Sequence, residues 1–303
     1  MRTGRISAAA LLALLLTAVW ASTASAAARH RGAGTVSVLY AGSLVTVMEQ
    51  QIGPAFAKAT GYGYQGFGAG STAVANQIKG KLRQGDVFIS AAPSVNATLM
   101  GSGNGDWVTW YGEFATAPLV IGYNPNSKFA SAFKTKPWWQ VLPSQGLLLG
   151  RTDPVLDPKG KLTVQFVNRA SKTLGMADLF ARTLVSTSNT AQIFPEETLL
   201  GRLEAGQLDA GFFYSIEARA ANIPFVAPPL GTHYGARYTV TILNNGPEAA
   251  GALAFVQFLL GPQGTAILKQ DGFQLLKDGE IGGMHSAVPV SIRPLFGTKP
   301  KTK

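Results

Sequence analysis

Val36-Ser37-Val38-Leu39-Tyr40-Ala41-Gly42-Ser43-Leu44 passes from an apolar, strand-forming stretch into an uncharged, hydroxyl-bearing turn. The pattern returns where Tyr62 to Phe67 leads into Gly68-Ala69-Gly70-Ser71-Thr72. Apolar residues at helical spacing follow the first turn, at Val47, Ile52, Phe56 and Ala59, and a helix is expected from about Thr72 to Gly80 after the second. A strand, turn and helix in this order put a serine and unpaired backbone N–H groups at a helix N-terminus, where the peptide dipoles leave partial positive charge. Such an end attracts small anions. The glycine before each serine lets a ligand approach the backbone closely. A single serine there is ordinarily an N-cap. Two of them, with no acid or base beside either, point to a protein that holds a small oxyanion without changing it.

Working outward, Val87 to Ala91 reads as a short buried strand, so strands and helices alternate from residue 35 to about 115. That alternation predicts an α/β fold with a mostly parallel sheet flanked by helices. The apolar run Pro118 to Tyr123 is expected to cross into a second lobe and the Pro-rich stretch Pro224 to Pro229 to return from it. The second lobe would hold a strand at Leu147 to Leu149, a long helix from the Asp-Pro loop through about Val185, a helix at Glu196 to Ala205 and a strand at Ala210 to Tyr214. Pro247 to Leu260 is an amphipathic helix stopped by Gly261-Pro262. The organisation is therefore residues 35–116 and 231–290 in one discontinuous lobe, 117–230 in the other, and a disordered tail at 297–303.

At the start of the chain, Arg2 and Arg5 precede an apolar run, Ala8 to Trp20, that ends in Ala24-Ser25-Ala26. This is the form of a secretory signal peptide, residues 1–26. The run is shorter than the roughly 20 apolar residues of a membrane-spanning helix, so a soluble, exported chain is expected. The remaining length of about 277 residues fits two lobes by the usual prior of about 100 to 200 per domain. With no cysteine in the sequence, disulfides, thiolate metal sites and a lipid-modified N-terminal cysteine are excluded. An exported protein without a lipid anchor is expected in the periplasm of a two-membrane bacterium. The formal charge of +10 favours anions in general. It does not single out nucleic acid, for which neither an Arg-rich recognition helix nor an aromatic-basic RNA motif is present.

Other chemistries fit poorly. Gly61-Tyr62-Gly63-Tyr64-Gln65-Gly66 has the spacing of a dinucleotide fingerprint but falls inside a strand instead of between strand and helix. His30, His233 and His285 are scattered, and no G-x-S-x-G elbow is present. The loop Thr152-Asp153-Pro154-Val155-Leu156-Asp157-Pro158-Lys159-Gly160 reads either as a pair of Asx turns or as a loop that brings Asp157 and its neighbouring amides to a cleft. Its two aspartates alone supply too few oxygens for calcium.

In this order, Tyr40-Ala41-Gly42-Ser43-Leu44, Gly70-Ser71-Thr72 with Asn76-Gln77-Ile78, Asp86 to Ala91, Asp153-Pro154 with Asp157-Pro158-Lys159-Gly160, Pro195-Glu196-Glu197, Phe212-Phe213-Tyr214, Phe258 to Gly264 and Gly272-Phe273 resemble the periplasmic molybdate/tungstate-binding proteins of ABC importers. The likeness runs from Val36 to Phe273. It implies a two-lobed type II periplasmic binding fold with two hinge crossings, closing on a tetrahedral dianion for delivery to a membrane permease. No catalysis, cofactor or nucleic acid is implied, and a monomer is expected. Carried over by position, Ser43 and Ser71 would give hydroxyl and amide donors. The loop at Lys159 and the helix start at Glu196 would give backbone N–H groups, and Tyr214 a phenolic hydroxyl. The tungstate-preferring branch has a glutamate directly before the tyrosine. Phe213 stands there in this chain, so at most half of that branch's carboxylate pair is expected, with Asp157 as its remaining member. The same fold tuned to sulfate or phosphate is the alternative, and a secreted hydrolase the third reading.

Overall fold

The computed structural model describes residues 33–297; the signal-peptide segment 1–26 and positions 298–303 of the expected tail lie outside them. Eleven strands are found among the described residues. They are β1 (Ala33–Ala41), β2 (Tyr62–Ala69), β3 (Val87–Ser90), β4 (Trp110–Ala117), β5 (Leu119–Tyr123), β6 (Leu149–Gly150), β7 (Ala210–Tyr214), β8 (Phe225–Val226), β9 (Ala236–Ile242), β10 (Gln274–Leu275) and β11 (Ile281–Gly283). Six helices frame the argument: α1 (Gly53–Thr60), α2 (Ser71–Lys79), α3 (Pro158–Thr173), α4 (Glu196–Glu204), α5 (Ser215–Ala220) and α6 (Ala249–Leu260).

The strands form two sheets. The larger has the order β10-β4-β9-β3-β1-β2 with β11 also on β4, and the smaller the order β6-β7-β5-β8. Both are mixed, which corrects the expectation of mostly parallel sheets. β1 pairs parallel with β2 and β3, and β6 with β7, where a helix or long connection intervenes. β9 runs antiparallel between β3 and β4, and β5 antiparallel between β7 and β8. The parallel pattern is visible locally in the first three strands. The antiparallel partners arrive from far along the chain, where no local signal fixes direction.

The chain passes from the larger sheet to the smaller at Pro118, between β4 and β5, and returns between β8 and β9 through residues 227–235. On the larger sheet, Phe56 of α1 packs edge-on against Phe255 of α6 at 5.1 Å between ring centroids. On the smaller, Phe166 of α3 packs against Trp138 at 5.1 Å. Helix α1 ends at Gly61, whose φ of 79° is a left-handed C-cap that glycine adopts without strain. The long helix expected through Val185 is instead α3 followed by a separate helix at Leu179–Leu184, with Gly175 at φ 65° between them. The strand expected at 147–149 is the two-residue β6.

Candidate functional site

The two serine turns lie side by side because β1 and β2 are parallel neighbours, with Ala41 in register with Ala69. Neither serine is the N-cap of its helix. The cap positions are Ala41 and Gly70, and no side-chain cap bond is made to either helix start among the described residues. The Ser71 side chain is fully buried and accepts a hydrogen bond from the Ala91 amide at 3.0 Å, which leaves its own proton to donate. Ser43 Oγ and Tyr238 Oη, both buried, are 2.9 Å apart.

From the other sheet come α3, α4 and the end of β7. Asp157 is the N-cap of α3. Its Oδ1 accepts from the Lys159 amide at 3.0 Å and from the Thr152 hydroxyl at 2.8 Å. The Lys159 N–H expected to face an anion is therefore occupied by the cap, a correction that follows from the ordinary satisfaction of a buried helix start. The Lys159 side chain is fully buried. Its Nζ donates to Glu196 Oε1 at 2.8 Å and to Glu217 at 2.7 and 2.9 Å. Glu217 Oε2 also accepts from the Tyr214 amide at 2.7 Å and so ties the end of β7 to the first turn of α5.

Glu196 stands in the first turn of α4, whose N-cap, Pro195, supplies no side-chain bond. At the seam, Glu196 Oε2 and Tyr214 Oη are buried and find no hydrogen-bond partner among the described residues. A Cβ built on Gly42 would collide with Glu196 Oε2, and one on Gly70 would lie 2.8 Å from the Leu156 carbonyl and 3.1 Å from Asp157 Cβ. Glycine at these two places is what lets the sheets meet. The Ala73 amide of α2 donates to the Leu156 carbonyl at 3.0 Å across the same seam. The Tyr214 and Tyr238 rings meet edge to face at 6.2 Å. All six residues named from the sequence thus lie along one seam.

Burial dominates the electrostatics. It raises the pKa of Glu196 well above the ordinary carboxylate value; Lys159 opposes this, and Glu217 and Asp157 add to it. Asp157 is raised in the same way, against the pull of Lys159 and the Thr152 hydroxyl. For Lys159, burial alone would lower the pKa, but Glu196, Glu217 and Asp157 together outweigh it and hold the ammonium charged. Burial also raises the Tyr214 and Tyr238 phenols, which remain neutral donors. Among the described residues, no group of three His, Cys, Asp or Glu is arranged to hold a metal ion. The lysine ammonium occupies the place a cation would take among these carboxylates.

Sequence reasoning missed Glu217 and Tyr238. The Phe213 side chain packs into a separate apolar cluster with Val120, Leu199 and Leu203. Glu217, in the first turn of α5, brings a carboxylate to Lys159. The signal was a glutamate three residues beyond a strand end, half of a capping box. Tyr238 has no local signal, since it reaches Ser43 only through the antiparallel pairing of β9.

A family profile described as bacterial extracellular solute-binding protein matches residues 36–274. The chain is 29% identical over 271 residues to an uncharacterized solute-binding protein of Petrotoga mobilis, covering 79% of this chain and 83% of that one. It is 24% identical over 255 residues to a molybdate/tungstate-binding protein of Thermococcus kodakarensis, covering 69% and 71%. Among solved structures, the periplasmic molybdate-binding protein of Azotobacter vinelandii superposes with a TM-score of 0.63 at 22% identity, over 80% of this chain and 99% of that one. The fold is that of the type II periplasmic binding proteins.

Proposed function

Because the chain belongs to the bacterial extracellular solute-binding protein family, we propose that it captures a tetrahedral oxyanion of the molybdate and tungstate class at this seam. Residues 35–116 with 231–290, and 117–230, are the two lobes. The observation that carries the reading is the pair of buried, unpartnered atoms, Tyr214 Oη and Glu196 Oε2, facing two serine turns whose helix starts carry no side-chain cap among the described residues. Native structures rarely leave such atoms unsatisfied without a reason. A bound anion would accept from Ser43, Ser71, Tyr214 and the free amides at the starts of α2 and α4, so that oriented dipoles replace its water shell. Likeness to the Thermococcus kodakarensis protein supports molybdate or tungstate in particular.

The mature protein is a periplasmic, non-enzymatic, monomeric receptor that hands its anion to the membrane permease of an ABC importer. Titration calorimetry with molybdate, tungstate, sulfate and phosphate tests the ligand. Tight binding of the first two with weak or no binding of the others is the expected result. No heat with either molybdate or tungstate would overturn the assignment.

A further inference from the structure

Charge is distributed unequally across the seam. The serine turns contribute neutral groups, whereas Asp157, Glu196 and Glu217 surround a single ammonium, Lys159. A dianion entering beside three ionised carboxylates and one lysine would meet net repulsion in a water-poor site, where like charges are costly. Glu217 is held as an acceptor, since both of its oxygens receive N–H donors. Asp157 Oδ1 accepts two hydrogen bonds as the cap of α3. Glu196 differs. Oε1 accepts from Lys159 Nζ, while Oε2 is buried against the Gly42 turn with no partner among the described residues.

We infer that Glu196 is the specificity-determining residue of the site, taking up one proton as the anion binds and donating it from Oε2 to an anion oxygen. This rests on the oxyanion reading above. In balance, one proton leaves solvent, the Glu196 carboxylate becomes a neutral carboxylic acid, and its new O–H donates to the anion while Lys159 keeps its bond to Oε1. The charged and titratable groups that act on Glu196 are Lys159 of α3 and its cap Asp157, Glu217 from α5, the neutral Tyr214 phenol at the end of β7, and, across the seam, the neutral Tyr238 phenol. Burial and both carboxylates push Glu196 toward its protonated form, with Lys159 alone opposing. The consequence is selectivity for anions that carry no proton of their own. An ionised Glu196 would prefer the opposite, an anion with a hydroxyl to donate.

The test is calorimetry of the full mature chain with molybdate from pH 6 to 8.5, in two buffers of different ionisation enthalpy. Wild type should take up close to one proton per anion, with the dissociation constant rising about tenfold per pH unit over the upper part of the range. Glu196→Gln, which keeps a neutral donor at the same place, should bind at pH 8 with no proton uptake and a flat pH profile. Glu197→Gln, at an exposed neighbouring position, should behave as wild type. Molybdate binding with no proton uptake in wild type, or an unaltered slope in Glu196→Gln, overturns the inference while leaving the receptor reading intact. Tight phosphate binding without molybdate binding overturns both, since Glu196 would then be the acceptor.

Discussion

The two faces of the seam hold polar groups by opposite means. On the larger sheet, Ser43 and Ser71 are neutral, and their partners are a phenol and a backbone amide. On the smaller, Lys159, Glu196, Glu217 and Asp157 form a buried ionic cluster whose members depend on one another. The first face can offer dipoles at any pH at which the protein folds. The second is sensitive to every charge within it, since Lys159, Glu196 and Asp157 each shift with the charges of their neighbours. Under the proposed reading, the first face supplies neutral donors and the second sets the charge that an anion meets.

The largest effect expected from disturbing this division is on the charged face. Replacing Lys159 with Met should destabilise the fold by about 3 to 5 kcal/mol, because it strands buried carboxylates without their cation. Urea unfolding checks it, and a loss below 1 kcal/mol would show that the cluster relaxes or protonates at little cost. On the neutral face, Ser71→Ala should weaken molybdate binding by about 1.5 to 3 kcal/mol, the range for a hydrogen bond to a charged group. It should also lower stability, since the Ala91 amide loses its acceptor. Unchanged affinity in calorimetry would reduce Ser71 to a structural role.

Tyr214→Phe sharpens the contrast. Its hydroxyl has no partner among the described residues, so affinity should fall while the unfolding midpoint of the ligand-free protein stays level or rises. A loss of ligand-free stability equal to that of Ser71→Ala would contradict that picture. The smallest effect concerns pH. The Glu196 pKa is raised in the fold, so the native state binds more protons than the unfolded chain. Its contribution is therefore present below the unfolded carboxylate value and is lost as pH rises toward the folded one. Ligand-free wild type should lose stability over that window more steeply than Glu196→Gln, and superimposable pH curves for the two proteins would refute it.

Much of this was legible in the chain. Val36, Val38, Leu39 and Tyr40 are apolar and buried because β1 lies inside the sheet, between β3 and β2, and Gly42-Ser43 and Gly70-Ser71 stand where the strands run out. Ser43, Ser71, Asp157, Lys159, Glu196 and Tyr214 each adjoin a turn or helix start, a local feature that the sequence displays. What stayed hidden was tertiary. The direction of β9 brings Tyr238 to Ser43, and the Lys159 side chain turns inward to meet Glu196 and Glu217. A lysine after Asp-Pro reads as solvated, and only packing shows it to be the centre of a cluster.

Gly42 offers a ruler. Its missing side chain leaves room that Glu196 fills from across the seam, so each atom added at position 42 would act as a shim of known thickness. A series from Ala through Ser to Val would hold the two halves at graded separations. Binding strength along that series would report how far apart the halves may stand before they cease to act as one receptor.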